Sequence, residues 1–191
     1  LVETDFAPIP TFGGSFDGGG HTISGLSLTQ NLSPAGLFGI LQPTAVVKNL
    51  TVQGIVTPGG DGLSVGGVAG ENYGMVENGT FIGTVVGKTN TGGIAGMNYG
   101  TLRACRAEGN VTGDNRTGGI VGYNCGSLVS CRSSASVNTE SVDPTINPKD
   151  IRLDFSMDFS KTANLDDSDA ASDTGGIAGY TSGTITSRVD S

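Results

Sequence analysis

The sequence predicts an all-β chain wound as a parallel β-solenoid of about five to six coils, interrupted by one strand-containing excursion. Three observations lead there. GGVAGENYGMVENGTFIGTVVG from Gly66, GGIAGMNYGTLRACRAEGNVTG from Gly92 and GGIVGYNCGSLVSCRSSASVNT from Gly118 are one pattern written three times, 26 residues apart and without gaps. A fourth copy, GGIAGYTSGTITSRVDS, starts at Gly175. Apolar and polar residues alternate strictly along Cys105-Arg106-Ala107-Glu108-Gly109-Asn110-Val111, the period of a strand with one face inward. No segment carries a helical period of useful length.

Such a stack needs only a thin core, and the composition suits one. The 191 residues include 33 Gly and no Trp, with 6% aromatics and 36% apolar residues overall. The formal net charge of −8 disfavours a nucleic-acid partner, because the surface repels phosphate backbones. Lys and Arg are too few for a basic membrane-binding face, and no apolar run is long enough to span a bilayer. The opening LVETDFAPIP has neither an initiator Met nor the charged start and apolar run of a signal peptide. The chain therefore reads as one domain, a fragment of a larger protein.

Taken in order, residues 1–11 are an irregular, proline-containing lead-in. TFGGSFDGGGHTISGLSL follows, with glycine turns at Gly13-Gly14 and Gly18-Gly19-Gly20 and short strands marked by Phe16, Ile23, Leu26 and Leu28. Residues 12–35 thus form a first coil, atypical because an end coil covers the core on one side. The regular coils occupy residues 36–140. Gly36-Leu37-Phe38-Gly39 matches Gly67-Val68-Ala69-Gly70 at an offset of 31, with two extra residues between Gly39 and Asn49 and three within PGGDG. In later copies Leu102 and Cys105 both face inward although three residues apart, so a corner falls near Arg103-Ala104. Residues 174–191 begin a truncated last coil.

Positions one period apart should lie in vertical register, about 4.8 Å from coil to coil. The resulting columns are Val68, Ile94, Ile120 and Ile177; Val76, Leu102, Leu128 and Ile185; and Asn72, Asn98 and Asn124, the last expected to form an amide ladder. Cys105 and Cys131 make a stacked cysteine pair, either two small buried side chains or a disulfide. Cys125 falls in another column, under Tyr73 and Tyr99.

The copies G-G-[IV]-[AV]-G-x-N-x-G-x-[LV], each followed by the CxAxGxV-type strand, resemble GLUG-motif repeats, and Gly36-Leu37-Phe38-Gly39 is close to the motif's name. SFDGGGHTISGLSL is similar to the coil that often precedes such repeats. The resemblance covers most of residues 12–140 and 175–191. It implies a right-handed parallel β-helix in a secreted or cell-surface bacterial protein, of the adhesin-like or IgA-peptidase-associated kind. It brings no catalytic residue, because the motif contains none.

Between Gly118 and Gly175 the offset is 57, so about 31 residues are inserted within 141–173. There Ile151, Leu153, Phe155, Met157 and Phe159 alternate with polar residues, giving a strand with one apolar face. That face either covers the solenoid or forms a partner surface. Asp166, Asp167 and Asp169 lie nearby without the glycine and terminal Glu of a calcium loop, so no metal ligands are assigned.

His21, the sole histidine, reads as a turn residue, and neither a metal-binding nor a phosphate-binding motif is present. Glu71, Glu77 and Glu108 occupy different columns, and sequons at Asn31, Asn49, Asn78, Asn110 and Asn115 read as chance in an Asn/Ser/Thr-rich chain. The functional expectation is a non-catalytic structural or adhesive module, with no cofactor. Its partners would be host glycans or proteins, or other domains of the same chain. The alternative is a glycan- or protein-binding module that uses residues 141–173. A polysaccharide-acting enzyme would have to rely on Arg103, Arg106, Arg116 and Arg132, the only clustered cations.

Overall fold

A computed structural model describes residues 7–138 and 174–186. Among these residues there is no helix, and every strand pairing is parallel. The first coil holds β1 (Ile9–Phe12), β2 (Ser15–Asp17) and β3 (Thr22–Leu28), and the second β4 (Phe38–Leu41) and β5 (Val46–Val56). The third has β6 (Leu63–Gly66), β7 (Ala69–Asn72) and β8 (Met75–Val86), and the fourth β9 (Thr89–Gly92), β10 (Ala95–Asn98), β11 (Thr101–Arg103) and β12 (Arg106–Thr112). The fifth contains β13 (Asn115–Gly118), β14 (Val121–Asn124), β15 (Ser127–Val129), β16 (Arg132–Ser133) and β17 (Ser136–Val137). The last comprises β18 (Thr174–Gly175), β19 (Ala178–Thr181) and β20 (Thr184–Thr186).

These strands make three sheets wound into a β-solenoid of about five turns. The front sheet runs β1-β4-β7-β10-β14-β19, and a four-stranded sheet β6-β9-β13-β18 lies behind it. A ten-stranded sheet containing β5, β8 and β12 closes the third side. Vertical register shifts once, between Ile23 and Leu26 where β3 meets β5, and holds from coil to coil in the repeat: Val68 N–H donates to Ile94 O at 3.0 Å, Ile94 N–H to Ile120 O at 2.9 Å, and Ile120 N–H to Ile177 O at 2.9 Å. Leu102 pairs with Val76 on one side and Leu128 on the other. All three are fully buried, so the column is both backbone ladder and core.

The longer second coil resolves as the spacing requires. Phe38 pairs with Ala69, Val47 with Val76 and Leu63 with Thr89, offsets of 31, 29 and 26. The extra residues therefore leave at the corners, where no ladder bond is lost.

One expectation needs correction at the start of the chain. Part of the lead-in is strand: β1 pairs Ile9 with Phe38 and Thr11 with Ile40. Pro10 is tolerated because Ile9 N–H bonds Leu37 O, so alternation turns the proline nitrogen away from β4. Phe12 and Phe16 pack on Phe38, with ring centroids 5.2 and 6.0 Å away, and fill the end coil.

The corner near Ala104 has a definite backbone cause. Asn49, Asn78, Ala104 and Ser130 occupy one column and all take left-handed conformations, with φ of 53°, 51°, 50° and 54°. That conformation breaks the alternation and lets Leu102 and Cys105 both face inward. Asn adopts it readily, whereas Ala and Ser do so at about 1 kcal/mol each. A second departure was not legible: Gly109 is exposed, with φ 107°, rather than inward. A Cβ there would lie 2.0 Å from Gly83 O, so the strand kinks at glycine while Ala107 and Val111 stay inside.

The repeated glycine after Ile94-Ala95 has an equally physical origin. A Cβ on Gly96 would come within 2.4 Å of Ser64 C and Val65 N, and one on Gly122 within 2.4 Å of Asn90 C and Thr91 N. The front and rear sheets thus meet backbone against backbone, too close for any side chain.

Candidate functional site: a tyrosine ridge and a stacked thiol pair

Three front strands, β7, β10 and β14, each end in a buried asparagine. Asn72 Nδ2 donates to Asn98 Oδ1 at 2.7 Å, Asn98 Nδ2 to Asn124 Oδ1 at 2.8 Å, and Asn124 Nδ2 to Thr181 Oγ1 at 3.0 Å. With the amide fixed inside, the next residue is turned out, which places Tyr73 and Tyr99 on the surface at 39% and 42% exposure. Their rings stack at 4.9 Å with 4° between planes.

The fifth coil has Cys125 at that turn position, and its aromatic moves two residues back into the strand. Tyr123 pairs with Met97 on one side and Tyr180 on the other, and the rings of Tyr123 and Tyr180 stack at 5.0 Å. Tyr99 and Tyr123 lie 6.4 Å apart, joining the two stacks into a ridge. Arg116 reaches it from the rear sheet, its guanidinium 5.0 Å from the Tyr123 centroid and 5.4 Å from that of Tyr180.

Partial burial raises the phenol pKa of both Tyr73 and Tyr99, helped by Glu71 at Tyr73 and by Cys125 and then Glu71 at Tyr99, so they remain neutral hydrogen-bonding groups at ordinary pH. Tyr73 Oη donates to Glu71 Oε2 at 3.2 Å. Within each stack the ring faces cover one another. The ridge offers ring edges, phenol oxygens and the guanidinium of Arg116.

Sequence reasoning missed this ridge. The signal was present in the spacings Tyr73 to Tyr99 and Tyr123 to Tyr180, 26 and 57 residues, the same offsets that separate the glycine blocks.

Cys105 and Cys131 lie in adjacent coils, Arg132 N–H donating to Cys105 O at 2.9 Å, and both thiols are free. Cys105 is buried and Cys131 half-buried. Each sulfur donates to carbonyls in equivalent places: Cys105 to Val76 O at 3.5 Å and Arg103 O at 3.4 Å, Cys131 to Leu102 O at 3.3 Å and Val129 O at 3.7 Å. The hydrogen bond with Cys131, together with burial, pushes the Cys105 thiol well up. The same bond draws Cys131 down to about 7. Cys131 also lines a cleft of about 950 Å³, with Glu77, Arg103, Leu128, Arg132 and Ile185 among its walls.

The remaining candidates separate. Ile151, Leu153, Phe155, Met157 and Phe159 lie outside the described residues, as do Asp166, Asp167 and Asp169. His21 is exposed in a turn, its N–H donating to Gly18 O at 2.8 Å. Arg106 and Arg132 are in register, but Arg106 is held by Glu108 at 2.7 Å and Arg103 by Glu77 at 3.9 Å. Of that column, the Arg106 charge is thereby offset. Among the described residues, no cluster of three or more His, Cys, Asp or Glu is arranged to hold a metal ion.

Comparison with known proteins gives one partial likeness. Over 77 residues the chain is 46% identical to halomucin of the archaeon Haloquadratum walsbyi (strain DSM 16790 / HBSQ001). That stretch is 40% of this chain and 1% of halomucin. No family model matches the chain, and no solved structure does either.

Proposed function

We propose that the chain is a non-catalytic repeat module of a secreted or cell-surface protein, a stiff segment that carries an adhesive face. The observation that carries this reading is the vertical register of the third to fifth coils, in which the same columns serve as backbone ladder, core and surface. A coil in such a stack contacts mainly its neighbours, which builds length and stiffness. The likeness to halomucin supports a surface setting: the matched stretch is nearly three 26-residue periods long and a small part of that protein. The resemblance of the glycine pattern to GLUG-motif repeats is consistent with that setting.

The adhesive role rests on the tyrosine ridge, whose exposed phenols and Arg116 suit a hydroxyl-rich partner, a glycan or glycoprotein surface. Glycan-array and surface-protein binding would be measured for the wild type and for Tyr73→Ser/Tyr99→Ser. Binding that the double variant loses supports the adhesive face. Turnover of an acidic polysaccharide, abolished by Arg106→Ala, overturns the non-catalytic reading. A wild type that binds nothing leaves a spacer and removes the adhesive role.

A further inference from the structure

We infer that Cys131 and Cys105 form a dithiol site that reacts with small anionic disulfides, Cys131 attacking from the cleft and Cys105 completing a bond between the fourth and fifth coils. The arrangement supplies what such a reaction needs. The two residues sit in neighbouring parallel strands, so their Cα atoms are about 4.8 Å apart, within the roughly 4.4–6.8 Å span that a disulfide bridges. Access is one-sided, because Cys105 is buried at 1% exposure while Cys131 opens on the cleft. A reagent therefore meets Cys131 first. Arg132 and Arg103 stand in the same cleft wall and favour an anionic reagent, Arg103 less so because Glu77 engages it.

Neither sulfur is locked in place. Their hydrogen bonds to carbonyl oxygens, 3.3–3.7 Å long, are weak, so turning the sulfurs toward each other gives up little hydrogen bonding. The lowered thiol pKa of Cys131 provides the nucleophile, since the thiolate is the attacking species.

The balance is that of thiol–disulfide exchange. Cys131 Sγ, as thiolate, attacks one sulfur of RSSR, giving a Cys131–S–SR mixed disulfide and releasing RS⁻. Cys105 Sγ then attacks Cys131 Sγ, the second RS⁻ leaves, and the Cys105 proton passes to it. Two protein thiols are oxidised and one small disulfide is reduced to two thiols.

Cys125 provides an internal control. It is half-exposed and 3.2 Å from Ser182 Oγ, but the coil before it places Tyr99 at that position and the coil after it Ser182, so it has no thiol to resolve an adduct.

The test treats the full chain with oxidised glutathione, and in parallel with cationic cystamine, followed by intact-mass analysis and peptide mapping. Wild type should lose two hydrogens and give a Cys105–Cys131 linked peptide, faster with glutathione disulfide. Cys105→Ala, which keeps a small buried side chain, should stop at a Cys131 adduct, and Cys131→Ser should lose the linkage. A stable Cys131 adduct in the wild type overturns the inference. So does a lack of any reaction at Cys131. Should Cys105→Ala fail to fold, the wild-type linkage map decides alone.

Discussion

Replacing Asn98 with alanine strikes the middle of the amide ladder. Asn98 is fully buried, accepts from Asn72 Nδ2 at 2.7 Å and donates to Asn124 Oδ1 at 2.8 Å. Each of the two buried groups left without its partner, Asn72 Nδ2 and Asn124 Oδ1, costs about 1.5 kcal/mol. Asn72 Nδ2 keeps only long contacts, to Gly74 O at 3.4 Å and Thr101 O at 3.5 Å, so little of this is recovered. The expected loss is about 3 kcal/mol. With a urea slope near 2 kcal/mol/M, that is a midpoint shift of about 1.5 M. Thr181→Val removes only the last, exposed rung and should cost about 1 kcal/mol or less.

Asn98→Asp separates hydrogen bonding from volume. Its carboxylate still accepts from Asn72 but faces the oxygens of Asn124 and Gly100, so at neutral pH it should be worse than alanine. It should improve as acid protonates it and restores a donor. Urea unfolding of the three variants, followed by two spectroscopic probes because stacked repeats can unzip in parts, gives the comparison. The ladder reasoning is refuted if Asn98→Ala shifts the midpoint no more than Thr181→Val, or if Asn98→Asp equals Asn98→Ala at neutral pH.

Two further outcomes follow from the backbone and the first coil. Gly96→Ala forces a Cβ to within 2.4 Å of backbone atoms of Ser64 and Val65 and should cost about 3 kcal/mol or prevent folding. Gly176→Ala meets nothing within 4 Å and should fall within about 0.5 kcal/mol of wild type, both read by chemical denaturation. Asp17 accepts from Gly19 N–H, Asn49 Nδ2 and Lys48 Nζ, and these bonds, the Gly19 amide foremost, hold its carboxyl below the usual 3.8. A depressed folded-state pKa means that its contribution is present above about pH 4 and lost as pH falls through the lower folded value. Protection of the Gly19 amide from hydrogen exchange, corrected for intrinsic rate, should therefore fall on acidification in wild type and stay flat in Asp17→Asn.

The period alone fixed which residues are neighbours along the axis. Once Ile94 is known to repeat at Ile120, parallel pairing leaves each residue one place above its counterpart. The Asn72-Asn98-Asn124 ladder, the Cys105-Cys131 adjacency and the corner near Ala104 all follow. A repeat says nothing, however, about who meets whom across the coil, because that depends on how far each corner turns. The tertiary structure alone decided that the front and rear sheets touch through Gly96 and Gly122. It also decided that Gly109 kinks out of the alternation and that the start of the solenoid reaches back to Ile9. The tyrosine ridge belongs to the same class: Tyr99 and Tyr123 occupy different places in the repeat, and only folding brings their rings to 6.4 Å. Axial neighbours are set by translation, which a one-dimensional string records; lateral ones are set by turn angles, which it does not.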